Sequence, residues 1–206
     1  MLFIDENQYI SEGKTRKCYS HPNDKNLCIK IMKPLHTGVK FLNKEIKYYN
    51  KIQKRNKKYS LSFFAKYHGK IDTNLGVGYL YDLIRDQNGK VSLPIKYYIE
   101  TRSINKFPNN HAAAALKDIM QKMVKHKVFG YDVYHNNLLC RLKGKNTIEL
   151  VLIDGLGITS QPTSIRTIKS YFSFLVNYSD YLARKRVNAV FRSSGILNAL
   201  EKMPIN

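Results

Sequence analysis

The apolar positions in the first part of the chain alternate over short stretches, which is typical of strands. Residues 15–20 and 26–32 are predicted to be strands on either side of a polar turn, and residues 63–71 and 77–84 two more. Between the two pairs, residues 41–54 space their apolar side chains at helical intervals. We therefore predict a small antiparallel sheet with one amphipathic helix.

The pattern changes after a polar turn at residues 85–89. Residues 111–126 have helical periodicity, and residues 138–153 contain two short strands of a predicted hairpin. Residues 164–203 are helical in pattern again. This half of the chain is therefore predicted to be mainly helical.

Together the two patterns predict an α+β protein with two lobes. The N-lobe comprises residues 1–84, with the antiparallel strands and one helix. The C-lobe comprises residues 85–206 and is a reduced, mainly helical lobe. No internal repeat or low-complexity linker interrupts this order.

The charge is strongly unbalanced, with 35 Lys and Arg against 15 Asp and Glu and a formal net charge of +20. Such a protein attracts polyanions, although a compositional bias toward Lys, Asn, Ile and Tyr is an alternative explanation. The three cysteines lack metal-site spacing, and the chain has neither a signal-peptide pattern nor an apolar run of membrane-spanning length. We expect a cytoplasmic protein whose charge allows peripheral contact with the inner face of the membrane.

The chemistry is concentrated in residues 130–157. Asp132 and Asn137 lie five positions apart on a predicted tight loop, and Asp154 follows an apolar strand and precedes Gly155. A carboxylate can accept a hydroxyl proton, and an amide oxygen with a second carboxylate suits Mg²⁺. Asn137 and Asp154 are therefore the predicted metal ligands; a register one residue earlier would give Asn136 that role instead.

At these positions the chain resembles the protein-kinase-like superfamily, because residues 154–157 stand where that superfamily has its Asp-Phe-Gly segment. The resemblance extends upstream to Lys30, in a Cys-Ile-Lys-Ile strand, and to Glu45 on the following helix. It implies ATP and Mg²⁺ as cofactors. It also implies that Lys30 holds the α- and β-phosphates, that Glu45 orients Lys30, and that Asp132 is the catalytic acceptor of the hydroxyl proton.

The remaining nucleotide contacts implied by the resemblance lie in two segments. Gly13, Lys14 and Arg16 belong to the loop that should be rich in glycine, but this loop has one glycine and three basic residues. Charge is therefore expected to replace part of the backbone contact with phosphate. Tyr81 and Leu83 belong to the apolar segment that would border adenine.

More narrowly, the chain is similar to the family of PhoP regulatory network proteins typified by YrbL. The segments that carry this similarity are spread over much of the chain before Gly157; they are residues 16–22, 28–31, 44–49, 67–69, 76–82 and 137–140. The similarity implies a bacterial protein with a two-lobed, protein-kinase-like fold.

The resemblance implies an ATP-dependent phosphotransferase, a kinase whose acceptor is not fixed by the motifs. The net charge of +20 disfavours a polycationic acceptor such as an aminoglycoside and favours an anionic sugar, a lipopolysaccharide core or an acidic protein. A non-catalytic adaptor in a stress-response network is the alternative. A nucleic-acid-binding protein is a third interpretation, and it rests on charge alone because no recognisable binding motif is present.

Overall fold

The chain divides into two units. The first unit contains Met1–Ser60 and Ala65–Ile84, and the second contains Leu61–Phe64 and Arg85–Asn206. The computed structural model describes residues 1–34, 39–56, 61–101, 111–126, 128, 136–144 and 147–157. Among these residues no helix is long and apolar enough to cross a membrane.

The first unit is built on an antiparallel sheet of five strands. In chain order the strands are β1 (Tyr9–Glu12), β2 (Arg16–Ser20), β3 (Leu27–Met32), β4 (Tyr67–Thr73) and β5 (Gly76–Asp82). Their order across the sheet is β1-β2-β3-β5-β4. A short 3-10 turn (Glu6–Gln8) precedes β1, and the helix α1 (Val39–Arg55) connects β3 to β4.

One face of this sheet packs against the N-terminal segment. Ile4 is buried together with Tyr19, Ile29 and Ile31 of the central strands. Gly78 of β5 lies on this face, where an added Cβ would stand 2.5 Å from a side-chain carbon of Ile29. The N-terminal segment therefore completes the core of the first unit, and at position 78 only a glycine leaves room for the neighbouring strand.

The opposite face of the sheet packs against α1. Tyr49 of α1 is fully buried, and its ring lies 5.5 Å from that of Tyr81 and 6.4 Å from that of Tyr67. Gln53 fixes the helix to the sheet, because its side chain accepts a hydrogen bond from the Tyr67 amide at 3.0 Å and donates one to the Tyr67 carbonyl at 3.1 Å. The helix position is thus set by aromatic packing and by one amide clamp.

The second unit has a three-stranded antiparallel sheet, with β6 (Leu93–Pro94) beside β7 (Leu138–Leu142) and β7 beside β8 (Ile148–Leu152). The helices described between β6 and β7 are α2 (Ile95–Glu100) and α3 (His111–His126). Among the side chains of α3 that the structure describes, the buried ones recur every four residues; they are Ala115, Ile119 and Met123. This spacing gives α3 one apolar face.

The segment Leu61–Phe64 adds an edge to this second sheet, although β4 of the first unit follows it almost at once. The Phe63 carbonyl accepts a hydrogen bond of 2.9 Å from the Leu152 amide, and Phe64 forms an isolated parallel bridge with Leu152. Both phenylalanines are buried. Their burial explains why the sequence prediction of a strand over 63–71 is wrong in its first part: the apolar residues there serve a different core.

The remaining predicted elements compare well with the structure. The predicted helix over 111–126 coincides with α3, and the predicted helix over 41–54 lies within α1. The strand β1 and the helix α2 were not predicted, because both are short and their apolar positions are few. The predicted helices of residues 164–203 lie outside the described residues.

Candidate functional site

The β7–β8 hairpin brings the two predicted metal ligands to one end of the second sheet. Leu138 pairs with Leu152, and one position further the Ile153 amide donates a hydrogen bond of 2.9 Å to the Asn137 carbonyl. Asp154 follows Ile153 directly, so that Asn137 and Asp154 lie close together at this end of the hairpin. Both side chains are half-buried, whereas Asn136 is exposed.

The backbone turns sharply after Asp154. Gly155 has a φ of 73° and Gly157 a φ of 119°, a region that L-residues rarely adopt. Leu156 between them is fully buried and fixes the turn to the core of the second unit. The Gly155 amide donates a hydrogen bond of 2.8 Å to Asp154 Oδ1. The Asp154 carboxylate is therefore hydrogen-bonded to the backbone of the turn that follows it.

These donors fit a magnesium ion better than a transition metal. Mg²⁺ prefers oxygen ligands and is commonly bound by one or two carboxylates together with substrate phosphates and water. Within the described ranges of the chain, no cluster of three or more His, Cys, Asp or Glu side chains could hold a metal by itself. Asn137 and Asp154 could hold Mg²⁺ only together with phosphate oxygens.

In the first unit, Lys30 lies in the middle of β3 and is buried, with 7% of its surface exposed. Its ammonium nitrogen stands 4.7 Å from the centre of the Tyr81 ring. A cation above an aromatic face is attracted by the ring quadrupole. Lys30 is thus held on the same face of the sheet as α1, and the Tyr81 ring supports its charge.

Glu45 is held by an arginine that the sequence pattern assigned to the nucleotide. Arg16 Nη2 lies 3.1 Å from Glu45 Oε2 and 3.4 Å from Oε1. The exposed fractions of the two side chains are 10% and 5%, so this is a buried ion pair between β2 and α1. Arg16 pairs with Met32 in the β2–β3 ladder, and residues two apart on a strand share a face. Arg16, Glu45 and Lys30 therefore belong to one charged group on the helix-covered side of the sheet.

The turn between β1 and β2 carries the other two predicted loop contacts. Gly13 and Lys14 are both exposed, and the Gly13 amide donates a hydrogen bond of 2.8 Å to the Arg16 carbonyl. The turn is therefore closed by its own backbone. Lys14 is the basic residue at the exposed tip of this turn, where its side chain could contact a phosphate group.

The two predicted adenine contacts differ in their surroundings. Tyr81 is fully buried between α1 and β4, and its ring contacts the ammonium group of Lys30 and is not exposed to solvent. Leu83 is half-buried, and its amide donates a hydrogen bond of 2.7 Å to the Asn26 carbonyl. A base bound beside Leu83 would have to use other atoms of this residue.

Two cysteines occupy neighbouring strands on the same face as Lys30. Cys18 pairs with Lys30 in the β2–β3 ladder, and Cys28 lies two residues before Lys30 on β3. A hydrogen bond with Cys18 and burial raise the pKa of Cys28 well above its usual range. Cys28 is therefore a protonated apolar group rather than a nucleophile.

Sequence reasoning missed the Arg16–Glu45 pair, although both residues were singled out for other reasons. The only signal was the basic residue in a loop that should be glycine-rich. Asp132, the predicted catalytic residue, lies outside the described residues.

Two solved structures that are similar to this chain are protein kinase domains. The PF14_0431 kinase domain matches with a TM-score of 0.54 and 13% identity, over 76% of this chain and 52% of that domain. The PknI kinase domain of Mycobacterium tuberculosis matches with a TM-score of 0.45 and 13% identity, over 76% of this chain and 59% of that domain. The chain spans little more than half the length of these domains. The first of the two similarities shows a kinase-like fold, which confirms the predicted fold class.

Comparison by sequence finds YrbL proteins. YrbL of Escherichia coli strain K12 is 29% identical over 160 residues, which cover 76% of this chain and 74% of the relative. YrbL of Shigella flexneri matches to the same extent. The family model of the PhoP regulatory network protein YrbL matches residues 2–193. The chain therefore belongs to the PhoP regulatory network protein YrbL family, as its sequence motifs predicted.

Proposed function

We propose that the protein is a kinase that transfers the γ-phosphoryl group of ATP, with Mg²⁺, to a hydroxyl group. The observation that carries this proposal is the pairing of Asn137 with Ile153, which sets Asn137 beside Asp154 at a rigid glycine turn. Two oxygen donors held in this way suit a magnesium ion bound to phosphates. A turn that served only to connect two elements would need neither the Asn137 amide nor the Asp154 carboxylate at this place.

In the first unit we assign nucleotide binding to Lys30. Its buried ammonium group would contact the α- and β-phosphates, and Glu45 and Arg16 would fix the helix that borders it. Lys14, at the exposed tip of the β1–β2 turn, would add a positive charge where the glycine-rich loop of kinases offers backbone amides.

In the second unit we assign metal binding to Asn137 and Asp154 and positioning of the acceptor hydroxyl to Asp132. Bound Mg²⁺ would neutralise the charge of the transferring group. Asp132 would hold the acceptor hydroxyl in line with the phosphoryl group and would accept its proton. The positioning would be its main contribution.

The acceptor in this proposal is an anionic molecule, either a sugar such as a lipopolysaccharide core or an acidic protein. The support is the net charge of +20, which favours encounter with anions. The proposal also includes a cytoplasmic location, where ATP and Mg²⁺ are abundant.

Thermal unfolding with and without ATP and Mg²⁺ tests nucleotide binding. A ligand at 100 times its Kd stabilises the folded state by about 2.7 kcal/mol, which is roughly a 5–10 °C rise in midpoint for a chain of this size. We expect this rise in the wild type to require Mg²⁺ and to disappear in Asp154→Asn. Asp118→Asn, which removes an acidic group paired with Lys122 on α3, is the matched control and should keep the rise.

An unchanged rise in Asp154→Asn would remove the metal assignment. The absence of any rise in the wild type at millimolar ATP would favour the second candidate, a non-catalytic adaptor. The observation that favours an adaptor is that Arg16, in place of a loop glycine, is engaged by Glu45.

A further inference from the structure

The exposed side of α1 is a row of lysines. Counting along the helix, positions 40, 44, 47, 51 and 54 fall within an arc of roughly 80°, since successive residues are rotated by about 100°. All five side chains are exposed; they are Lys40, Lys44, Lys47, Lys51 and Lys54, and together they are called the α1 lysine face here. With a rise of about 1.5 Å per residue, the row is about 21 Å long.

This arrangement is not a by-product of helix packing. The opposite side of α1 is buried through Leu42, Ile46, Tyr49 and Ile52. Glu45, the one acidic residue of α1, lies on that buried side and is held by Arg16. The α1 lysine face therefore carries no carboxylate of its own helix.

Several lysines elsewhere in the described part of the chain are paired with carboxylates. Lys33, Lys96, Lys122 and Lys143 each lie within 4 Å of a carboxylate, at Glu12, Glu100, Asp118 and Glu149 respectively. No salt bridge between described residues involves a member of the α1 lysine face. Five like charges in a row repel one another, so their effect on the fold alone is unfavourable.

We propose that the α1 lysine face binds the surface of an anionic lipid bilayer. A straight row on a convex helix matches a flat plane of headgroups, and clusters of four to eight basic residues on one helix are typical of binding to anionic lipids. All five residues are lysines, whose ammonium groups are compact point charges without a preferred binding geometry, whereas bidentate recognition of single phosphates uses arginine. Phe41 is 71% exposed beside the row, with Lys44 Nζ 6.0 Å from its ring, and an exposed aromatic next to lysines suits the headgroup region.

The binding of the full chain to vesicles tests this proposal, and the assay contains neither ATP nor Mg²⁺, so it is independent of the proposed kinase activity. Co-sedimentation is measured with vesicles of phosphatidylcholine alone and with vesicles containing 30% phosphatidylglycerol, which is about the anionic content needed for a strong surface field. We expect binding only to the anionic vesicles and a steep loss between 0.05 and 0.3 M salt, about the range over which screening shortens the Debye length below 10 Å.

Two matched variants separate the α1 lysine face from net charge. The first carries Gln at four lysines of the face, namely Lys40, Lys44, Lys47 and Lys51. The control carries Gln at four exposed lysines elsewhere, namely Lys25, Lys70, Lys90 and Lys125. Gln has nearly the helix propensity of Lys, so α1 is preserved, and thermal unfolding verifies that both variants fold.

We expect the first variant to lose binding at least tenfold, since each lysine near an anionic surface contributes about fivefold. The affinity of the control variant for the anionic vesicles should change less than about threefold. Equal losses in the two variants would overturn the proposal in favour of diffuse charge, as would equal binding of the wild type to neutral vesicles. Tighter binding to a 30-nucleotide oligonucleotide, lost in the first variant only, would reassign the face to nucleic acid.

Discussion

At the scale of single residues, the most informative side chain is Arg16. The glycine-rich loop of kinases covers the phosphates, and the sequence resemblance assigns Arg16 to the corresponding segment of this chain. The arginine is buried against Glu45, with the two groups 3.1 Å apart. A position usually given to backbone contact with the ligand thus contributes an ion pair between a strand and the helix.

The destabilising effects of removing the two partners of this ion pair should not add. We expect Arg16→Met and Glu45→Gln each to lower the free energy of unfolding by about 3 kcal/mol, because a buried charge loses its counter-ion. The double variant should lose clearly less than the sum. Urea unfolding followed by circular dichroism measures all three values.

Strict additivity, within about 0.5 kcal/mol, would contradict a direct coupling of the two groups. Lys14→Met at the exposed tip of the same loop is the control, and its effect on stability should be small because the side chain is exposed.

At the scale of elements, the β7–β8 hairpin combines a candidate metal end with a charged network in its middle. Glu149 pairs with Arg141 across the ladder, and the Arg141 Nε lies 3.1 Å from its carboxylate. Lys122 of α3 and Lys143 lie 3.8 Å and 3.6 Å from the same group. The network joins the helix to the hairpin that presents Asn137 and Asp154.

The stability contributed by Glu149 should depend on pH. Burial alone would raise the pKa of Glu149, but the hydrogen bond and charge of Arg141, with Lys143 and Lys122, outweigh it and hold this pKa below its usual range. Because the folded-state pKa is the lower one, the contribution is present above the unfolded pKa and is lost as the pH falls through the folded pKa.

We therefore expect Glu149→Gln to be less stable than the wild type at pH 7 and the difference to shrink as the pH falls from about 4.5. Urea unfolding at pH 7, 5, 4 and 3.5 measures this difference. Glu6→Gln, at an exposed carboxylate, should show no such convergence. A difference that stays constant down to pH 3.5 would show that the carboxylate acts through packing rather than charge.

Local elements were predictable where periodicity is strong. The buried positions of α1 recur through Leu42, Ile46, Tyr49 and Ile52, and α3 begins and ends where its pattern does. The turn after β8 was predictable too, because an Asp-Gly sequence after an apolar strand is a local signal, whereas the assignment of Asn137 and Asp154 to a metal stays a prediction. The Arg16–Glu45 pair was not, since it joins residues 29 positions apart and depends on how the helix is rotated on the sheet.

At the scale of the whole molecule, the proposed phosphoryl transfer is tested at Asp132, which is assigned to the acceptor hydroxyl. We expect Asp132→Asn to slow phosphoryl transfer roughly 100-fold or more, because a positioned proton acceptor is lost. The rise in unfolding midpoint with ATP and Mg²⁺ should remain, since Asp132 is assigned to the acceptor and not to the nucleotide. ADP release in the presence of purified lipopolysaccharide measures the rate.

Asp118→Asn should release ADP at the wild-type rate. Unchanged release by Asp132→Asn would remove its assignment, and loss of both the rate and the thermal rise would move Asp132 into the nucleotide site.

The passage of Leu61–Phe64 into the second unit has a consequence for how the molecule can be made. The polypeptide crosses between the units three times, after residues 60, 64 and 84. A shortened polypeptide that begins at residue 85 would lack two buried phenylalanines and the carbonyl that accepts from Leu152. During synthesis on the ribosome, this segment emerges before the β7–β8 hairpin. Its aromatic side chains therefore stay without their packing partners until Leu152 has been synthesised. The second unit is therefore a poor candidate for independent expression, and supplying residues 61–64 in trans would be the direct way to rescue it.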